Sequence, residues 1–138
     1  MPRSKRPPAI LAASLAILTA LFAAWPLDNP TLAHHTYVTK YNSGKVITLH
    51  GVISSVDYRN PHIFFDLDVT YKNDSTATWH VETESIAKAQ AKGLTQNALR
   101  QGAKAVVVGW PARDGSGQLG LKSITVGGRT YSIRRTAK

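Results

Sequence analysis

The chain has 138 residues, no cysteine and a formal net charge of +9. This length predicts one domain once any targeting segment is removed. The lack of cysteine excludes a disulfide framework and a thiolate metal site.

The N-terminal segment has the order of features found in secretory signal peptides. Three bases lie within the first six residues, 17 residues without a charge follow over 9–25, and small residues precede position 34. We therefore predict a removable signal peptide over residues 1–33 of a bacterial protein that is periplasmic or secreted. The alternative is a retained membrane anchor, because 17 apolar residues lie at the short limit of a bilayer span.

The predicted mature chain, residues 34–138, keeps 14 basic and 7 acidic residues and a net charge of +7. It has no further segment suited to a stable membrane span. Export and the scattered bases argue against nucleic acid as a partner. The basic surface either aids solubility or attracts anionic envelope polymers or lipid headgroups.

The mature chain begins with a polar segment over 34–44, which we expect to be an irregular N-terminal arm, before a domain over 45–138. The first strand is expected over 45–58. Its apolar residues change face at Gly51, and a glycine inside a strand often marks a bulge or a bend.

With this first strand included, the sequence of the domain predicts three strands, a helical segment and two or three further strands. Alternating apolar and polar residues over 63–69 and 77–82 indicate a hairpin. Two short helical pieces are expected over 85–92 and 95–102. The remaining strands are expected at the ranges 105–110, 119–126 and 130–133.

This order of elements is that of a mainly β fold, a small five- to six-stranded Greek-key barrel of the oligonucleotide/oligosaccharide-binding (OB) type. The short helical segment then lies between strands three and four. A flat antiparallel sheet with one helix is the alternative.

Three short motifs carry a resemblance to a known family. They are the start Ala33-His34-His35, the turn Asn60-Pro61-His62, and the segment Gly109-Trp110-Pro111-Ala112-Arg113-Asp114-Gly115. In that order they resemble an uncharacterised family of exported bacterial proteins, a domain of unknown function, with Thr36 in place of an expected serine. The resemblance implies a small periplasmic β-barrel-like domain and no established activity.

The predicted mature N-terminus is a candidate metal site. Cleavage after Ala33 would give His34 a free amine beside its imidazole, and the two nitrogens can chelate Cu(II). His35 or His62 could complete a tetragonal nitrogen site of the kind that copper favours. The alternative is a mobile polar arm with exposed histidines.

The outward face of the predicted hairpin is a second candidate site. Because the apolar residues of both strands are odd-numbered, even positions must pair with even positions. His80 is then expected opposite Asp66 or Asp68, and Glu82 opposite Asp66 or Phe64. Nitrogen and carboxylate ligands together suit copper or zinc, while the alternative is a solvated face with cross-strand charge pairs.

An aromatic residue and scattered bases suggest a different partner. Phe64 is expected on the outward face, where barrels of this type stack sugars or bases. With Arg59, Lys72 and Arg113 it could bind an anionic envelope polymer or a periplasmic protein. The arm could instead cover Phe64, and the glycine-rich loop that holds Arg113 could be a plain hairpin loop, since it matches no phosphate loop.

No catalytic motif is present: there is no nucleophile elbow and no His-Glu-x-x-His. We therefore expect a non-catalytic periplasmic binding module that holds copper, with zinc as the second choice, through His34 with His35, His62 or His80. A barrel that binds an anionic polymer or a protein is the alternative, and an enzyme ranks last.

Overall fold

The computed structural model describes residues 37–134, which form a barrel with one strand outside it. The predicted signal peptide and residues His34 and His35 lie outside the described residues. Within them, residues 37–40 form a single helical turn. The elements that follow are β1 (Ile47–Asp57), β2 (Phe64–Thr70), β3 (Thr76–Glu82), α1 (Ile86–Ala91), β4 (Lys104–Pro111), β5 (Gln118–Val126) and β6 (Arg129–Ser132).

The barrel closes because β1 pairs with two strands and β3 pairs in parallel with β5. Strand β1 pairs antiparallel with both β2 and β4, so it contributes to both halves of the barrel. Strands β2 and β3 form a hairpin, β4 and β5 pair antiparallel, and β3 meets β5 in parallel. Within residues 37–134, strand β6 lies outside this closed set and pairs with β5 alone. This is a closed five-stranded OB-type barrel with one additional strand, as predicted.

The barrel core is built from alternate residues of the strands. In β2 the odd positions Phe65, Leu67 and Val69 are buried, and the even positions face outward. Inward residues of the other strands complete one continuous cluster with them. Full burial of one such apolar side chain contributes about 1.5–3 kcal/mol. The period-2 pattern of the sequence therefore identifies the core correctly.

The change of face in β1 was predicted at the wrong residue. The pairing of β1 with β2 shifts register between Ile53 and Ser55, so the bulge lies beyond Gly51 in the chain. Before the shift Ile53 is fully buried, while Val52 is 38% exposed. Gly51 has a different role, because a Cβ at this position would overlap the backbone oxygen of Asp68.

The helical segment between β3 and β4 is shorter than predicted. Helix α1 has Ser85 at its N-cap position, but the Ser85 side chain makes no capping bond. Asn60 Oδ1 instead accepts a hydrogen bond from the Ile86 backbone nitrogen at 3.1 Å. The second predicted helix, over 95–102, is a series of turns. Ala89, Leu94 and Leu99 of this region are buried in the core, so the segment plugs the barrel as expected.

The segment before β1 is more ordered than an irregular arm. Tyr37 and Tyr41 lie one helical turn apart, and the Tyr41 backbone nitrogen bonds to the Tyr37 carbonyl oxygen at 3.0 Å. Tyr41 also forms a β-bridge with Ala112. Both tyrosines are buried in a cluster of their own with Trp110 and Ala112. None of the helices within residues 37–134 has the length and apolar character needed to cross a bilayer.

Candidate functional site

Glu82, the last residue of β3, is the centre of a buried polar cluster. Its Oε2 accepts hydrogen bonds from Tyr41 Oη at 2.7 Å and from Lys40 Nζ at 2.9 Å. Its Oε1 lies 2.7 Å from His62 Nδ1. The Glu82 side chain is only 9% exposed and its bond with Tyr41 is buried, while Lys40 and His62 are partly exposed, at 33% and 28%.

The contacts of Glu82 keep it ionised despite its burial. Burial alone would raise the pKa of this carboxyl group, because a low-dielectric environment disfavours the charged form. Hydrogen bonds from Lys40 and Tyr41, together with the charge of Lys40, outweigh burial and lower the pKa below 4.5. The same contact contributes to raising the pKa of Tyr41, after the larger effect of burial. The cluster therefore holds a carboxylate beside a neutral phenol.

The turn of residues 37–40, which covers Glu82, depends on the glycine at position 120. Across the sheet Glu82 pairs with Gly120, which in turn pairs with Trp110. A Cβ on Gly120 would overlap the hydroxyl of Tyr37. The missing side chain therefore provides the space in which the turn of residues 37–40 lies against the outer face of the barrel.

The C-terminal end of the described chain packs on the same turn. The Arg134 guanidinium carbon lies 3.7 Å from the centroid of the Tyr37 ring, a cation–π contact. Arg134 Nε lies 3.0 Å from Glu84 Oε1, an ion pair whose atoms are not aligned as a hydrogen bond. The Tyr37 hydroxyl is buried and has no hydrogen-bond partner among residues 37–134, and burial raises the pKa of this phenol.

His80 is the centre of a second, more exposed group on the hairpin. Its Nδ1 lies 2.7 Å from Asp66 Oδ1, and Asp66 Oδ2 accepts a 2.9 Å hydrogen bond from Ser55 Oγ. The hydrogen bond with His80 is the main cause of the lowered pKa of Asp66. The Phe64 ring stacks on the imidazole of His80 at 5.2 Å between centroids, with 12° between the planes. The ring of His80 is thereby held in one orientation.

The structure brings the predicted hairpin residues together in pairs. As predicted from parity, His80 lies opposite Asp66 and Glu82 lies opposite Phe64. The Asp68 carboxylate accepts a hydrogen bond from the Thr78 hydroxyl and takes no part in the contacts described for His62 and His80. Among residues 37–134, no three histidine, aspartate or glutamate side chains are grouped so as to hold a metal ion.

The remaining candidates are placed separately. Phe64 is half-buried, and its contact with His80 occupies one face of the ring. Arg113 is exposed in the loop between β4 and β5, where its backbone nitrogen bonds to the Lys40 carbonyl oxygen at 3.0 Å. Arg59 forms an ion pair with Asp57 at 2.7 Å, and Lys72 lies exposed in the turn after β2.

Sequence reasoning missed Lys40 and Tyr41 as members of the site. The sequence predicts an irregular segment here because polar residues dominate it. The spacing of Tyr37 and Tyr41 is the signal that could have found them, since residues four apart lie on one face of a helical turn. The burial of Glu82 follows from that turn and could not be deduced from strand parity.

Together, the fold and the two histidine–carboxylate pairs define an OB-type barrel with a covered polar site at one end of its β2–β3 face. Residues 24–122 match the family described as "Family of unknown function (DUF6152)", and the chain belongs to that family. A comparison with the curated proteins gives no match.

Solved structures similar to this chain include two nucleic-acid-related proteins. One is the mitochondrial single-stranded DNA binding protein Rim1 from S. cerevisiae, 18% identical with a TM-score of 0.48; the match covers 60% of this chain and 93% of that chain. The other is TiaS from its complex with a tRNA and ATP, 17% identical with a TM-score of 0.44. That match covers 64% of this chain and 19% of that chain. Neither match bears on function.

Proposed function

We propose that this protein is a non-catalytic periplasmic binding module that holds a transition-metal ion, copper in preference to zinc. One observation carries the proposal: His62 and His80 each place Nδ1 at 2.7 Å from a carboxylate oxygen. Metal-binding histidines typically have such a carboxylate partner on the ring nitrogen that does not bind the metal.

The chemistry of the two pairs leaves a free ligand atom on each imidazole. An ionised carboxylate only accepts hydrogen bonds, so the proton of a neutral imidazole must reside on Nδ1. The lone pair then lies on Nε2, the atom that binds a metal. The lowered pKa values of Glu82 and Asp66 support ionised partners at neutral pH.

Two imidazoles that are paired with different carboxylates do not make a complete metal site. The proposal therefore needs a further ligand from outside the described residues. His34, with its amine freed by signal cleavage, would supply two nitrogens, and His35 is a further candidate. Tyr37 is three residues beyond His34, and three residues of chain span at most about 11 Å. Tyr37 packs with Tyr41, which shares Glu82 with His62. His62 is therefore the partner that we propose for His34, with His80 as an additional ligand.

The order of the hydrogen bonds around Asp66 supports a binding role. Ser55 donates its hydroxyl hydrogen to Asp66, and Asp66 separates it from His80. A serine nucleophile needs the histidine as its direct hydrogen-bond partner, with the acid on the far side of the ring. The order found at this site activates no nucleophile.

The test combines intact-mass analysis of the exported protein with Cu(II) titration of the same material. We expect the intact mass of a chain whose first residue is His34. We also expect that this chain binds one copper ion tightly. His62→Gln should weaken copper binding about 10- to 100-fold, in line with the loss of one ligand or its partner. His50→Gln is the matched control, because His50 is exposed on β1.

Two outcomes would contradict the proposal. A protein extended by one residue before His34 should lose tight binding, so equal copper affinity in that protein eliminates the terminal chelate. Equal losses in His62→Gln and His50→Gln would show that copper binds surface imidazoles without a defined site.

A further inference from the structure

A second site of different chemistry lies where β4 begins and β5 turns into β6. A cleft of about 600 Å³ opens there, which is within the range of small-molecule sites. Ten residues line it, and none of them is acidic. The polar ones include Asn97, Arg100, Lys104 and Arg129, beside the ring of Tyr131.

The three cations of this cleft are not neutralised within the described chain. Arg100, Lys104 and Arg129 are exposed, and none forms an ion pair with a carboxylate of residues 37–134. By contrast, Lys40 and Arg134 both pair with glutamates. Three uncompensated positive charges around one concave surface create a positive potential that attracts anions.

Sheet pairing fixes the backbone that carries two of these cations. Lys104 is the first residue of β4 and pairs with Val52, and Arg129 is the first residue of β6 and pairs with Val126. The Arg129 guanidinium carbon also lies 5.2 Å from the centroid of the Tyr131 ring. Because the backbone at both positions is fixed, little of it must be ordered when a ligand binds.

The side of Lys104 away from the cleft is less positive. Lys104 also borders a neighbouring groove that contains His50 and Asp68. The Asp68 carboxylate accepts a 2.7 Å hydrogen bond from Thr78. An anion would therefore be placed on the side of Arg100 and Arg129, away from Asp68.

We propose that this cleft binds a phosphate-bearing anion. Guanidinium groups present paired N–H donors that match two oxygens of one phosphate, and an ammonium group adds a point charge. The cleft offers two guanidiniums, one ammonium and the side-chain amide of Asn97. It shares no residue with the His62 and His80 pairs, so this proposal stands or fails independently of metal binding.

The test uses inorganic tripolyphosphate as the probe, titrated calorimetrically into the exported protein at low ionic strength. The triple variant Arg100→Gln/Lys104→Gln/Arg129→Gln should bind about tenfold more weakly or worse, because hydrogen bonds to charged groups are lost. The control variant Lys45→Gln/Lys88→Gln/Lys122→Gln removes the same charge from positions outside the cleft. It should change the affinity less than about twofold.

A parallel titration distinguishes the two sources of phosphate. Vesicles of phosphatidylcholine with phosphatidylglycerol replace tripolyphosphate, and the same two variants are compared. Variant-sensitive binding to tripolyphosphate supports a free phosphate ligand, and variant-sensitive binding to vesicles alone supports a lipid headgroup. Equal losses in the two triple variants, or no binding to either probe by the unaltered protein, would overturn the proposal. Far-ultraviolet circular dichroism confirms that both variants are folded.

Discussion

The phenol oxygen of Tyr41 lies 2.7 Å from Oε2 of Glu82, and this contact joins the turn of residues 37–40 to the end of β3. Tyr41 is fully buried and Glu82 nearly so. The contact therefore links two segments that are 41 residues apart in sequence, out of reach of water. It makes the segment before β1 a structural part of the barrel.

Removal of the Tyr41 hydroxyl should destabilise the protein measurably. Tyr41→Phe removes one charge-assisted hydrogen bond from a buried carboxylate, so we expect a loss of about 1.5–3 kcal/mol in the free energy of unfolding. Tyr58→Phe is the control, because its 3.4 Å bond to the Leu94 carbonyl oxygen is long, and about 0.5 kcal/mol or less is expected. Urea denaturation measures both, and equal losses would contradict the role of the Tyr41–Glu82 bond.

The stability of the protein should fall in acid through Glu82. Its pKa is lower in the folded state than the ordinary 4.5, so its contribution is complete above pH 4.5. As the pH falls through the folded-state pKa, protonation removes that contribution. Glu82→Gln should therefore have a shallower decline of unfolding free energy below pH 4.5 than the unaltered protein. Parallel pH profiles of the two proteins would refute this expectation.

The Tyr37 ring should be an important anchor of the N-terminal turn. Tyr37→Ala leaves a cavity between the turn and Gly120, and we expect a loss of about 3–5 kcal/mol. Val38→Ala is a neighbouring control, since Val38 is 38% exposed and its truncation should change stability by only about 0.5 kcal/mol. Thermal unfolding in both variants measures the difference. A small effect at position 37 would show that the turn is dispensable.

Gly51 should not tolerate a side chain. A Cβ there would overlap the backbone oxygen of Asp68, which cannot move without breaking the pairing of β1 and β2. Gly51→Ala should cost about 3 kcal/mol or more. A Cβ at Gly44 would lie 3.5 Å from Asn42 Oδ1, an ordinary contact. The free energy of unfolding of Gly44→Ala should therefore be within about 0.5 kcal/mol of that of the unaltered protein. Chemical denaturation of the two variants separates steric overlap from a general effect of replacing glycine.

The barrel itself could be predicted because its strands bury one face each. The alternation over β2 and β3 determined both the core and the parity of the pairing. Of the two partners that parity allowed for Glu82, Asp66 and Phe64, the structure has Phe64. The bulge in β1 was predicted at Gly51 and not between Ile53 and Ser55, because Val52, an apolar residue, points outward. A valine on an exposed face looks the same in sequence as a buried one.

The site was less predictable than the barrel because it depends on a segment outside any strand. Period-2 patterns state which residues point outward, and they do not state which outward residues another segment covers. Glu82 is therefore indistinguishable in sequence from Asp66, although one carboxylate is buried and the other is partly exposed. The tripartite contact of Glu82 with Lys40, Tyr41 and His62 joins residues from three separate parts of the chain.

The bare backbone at Gly120 also constrains how this chain can evolve. The hydroxyl of Tyr37 occupies the space that any side chain at position 120 would need. A lineage that gains a residue larger than glycine at 120 must first lose the ring at 37, so the two substitutions are accessible in one order only. Positions 37 and 120 should therefore covary among relatives.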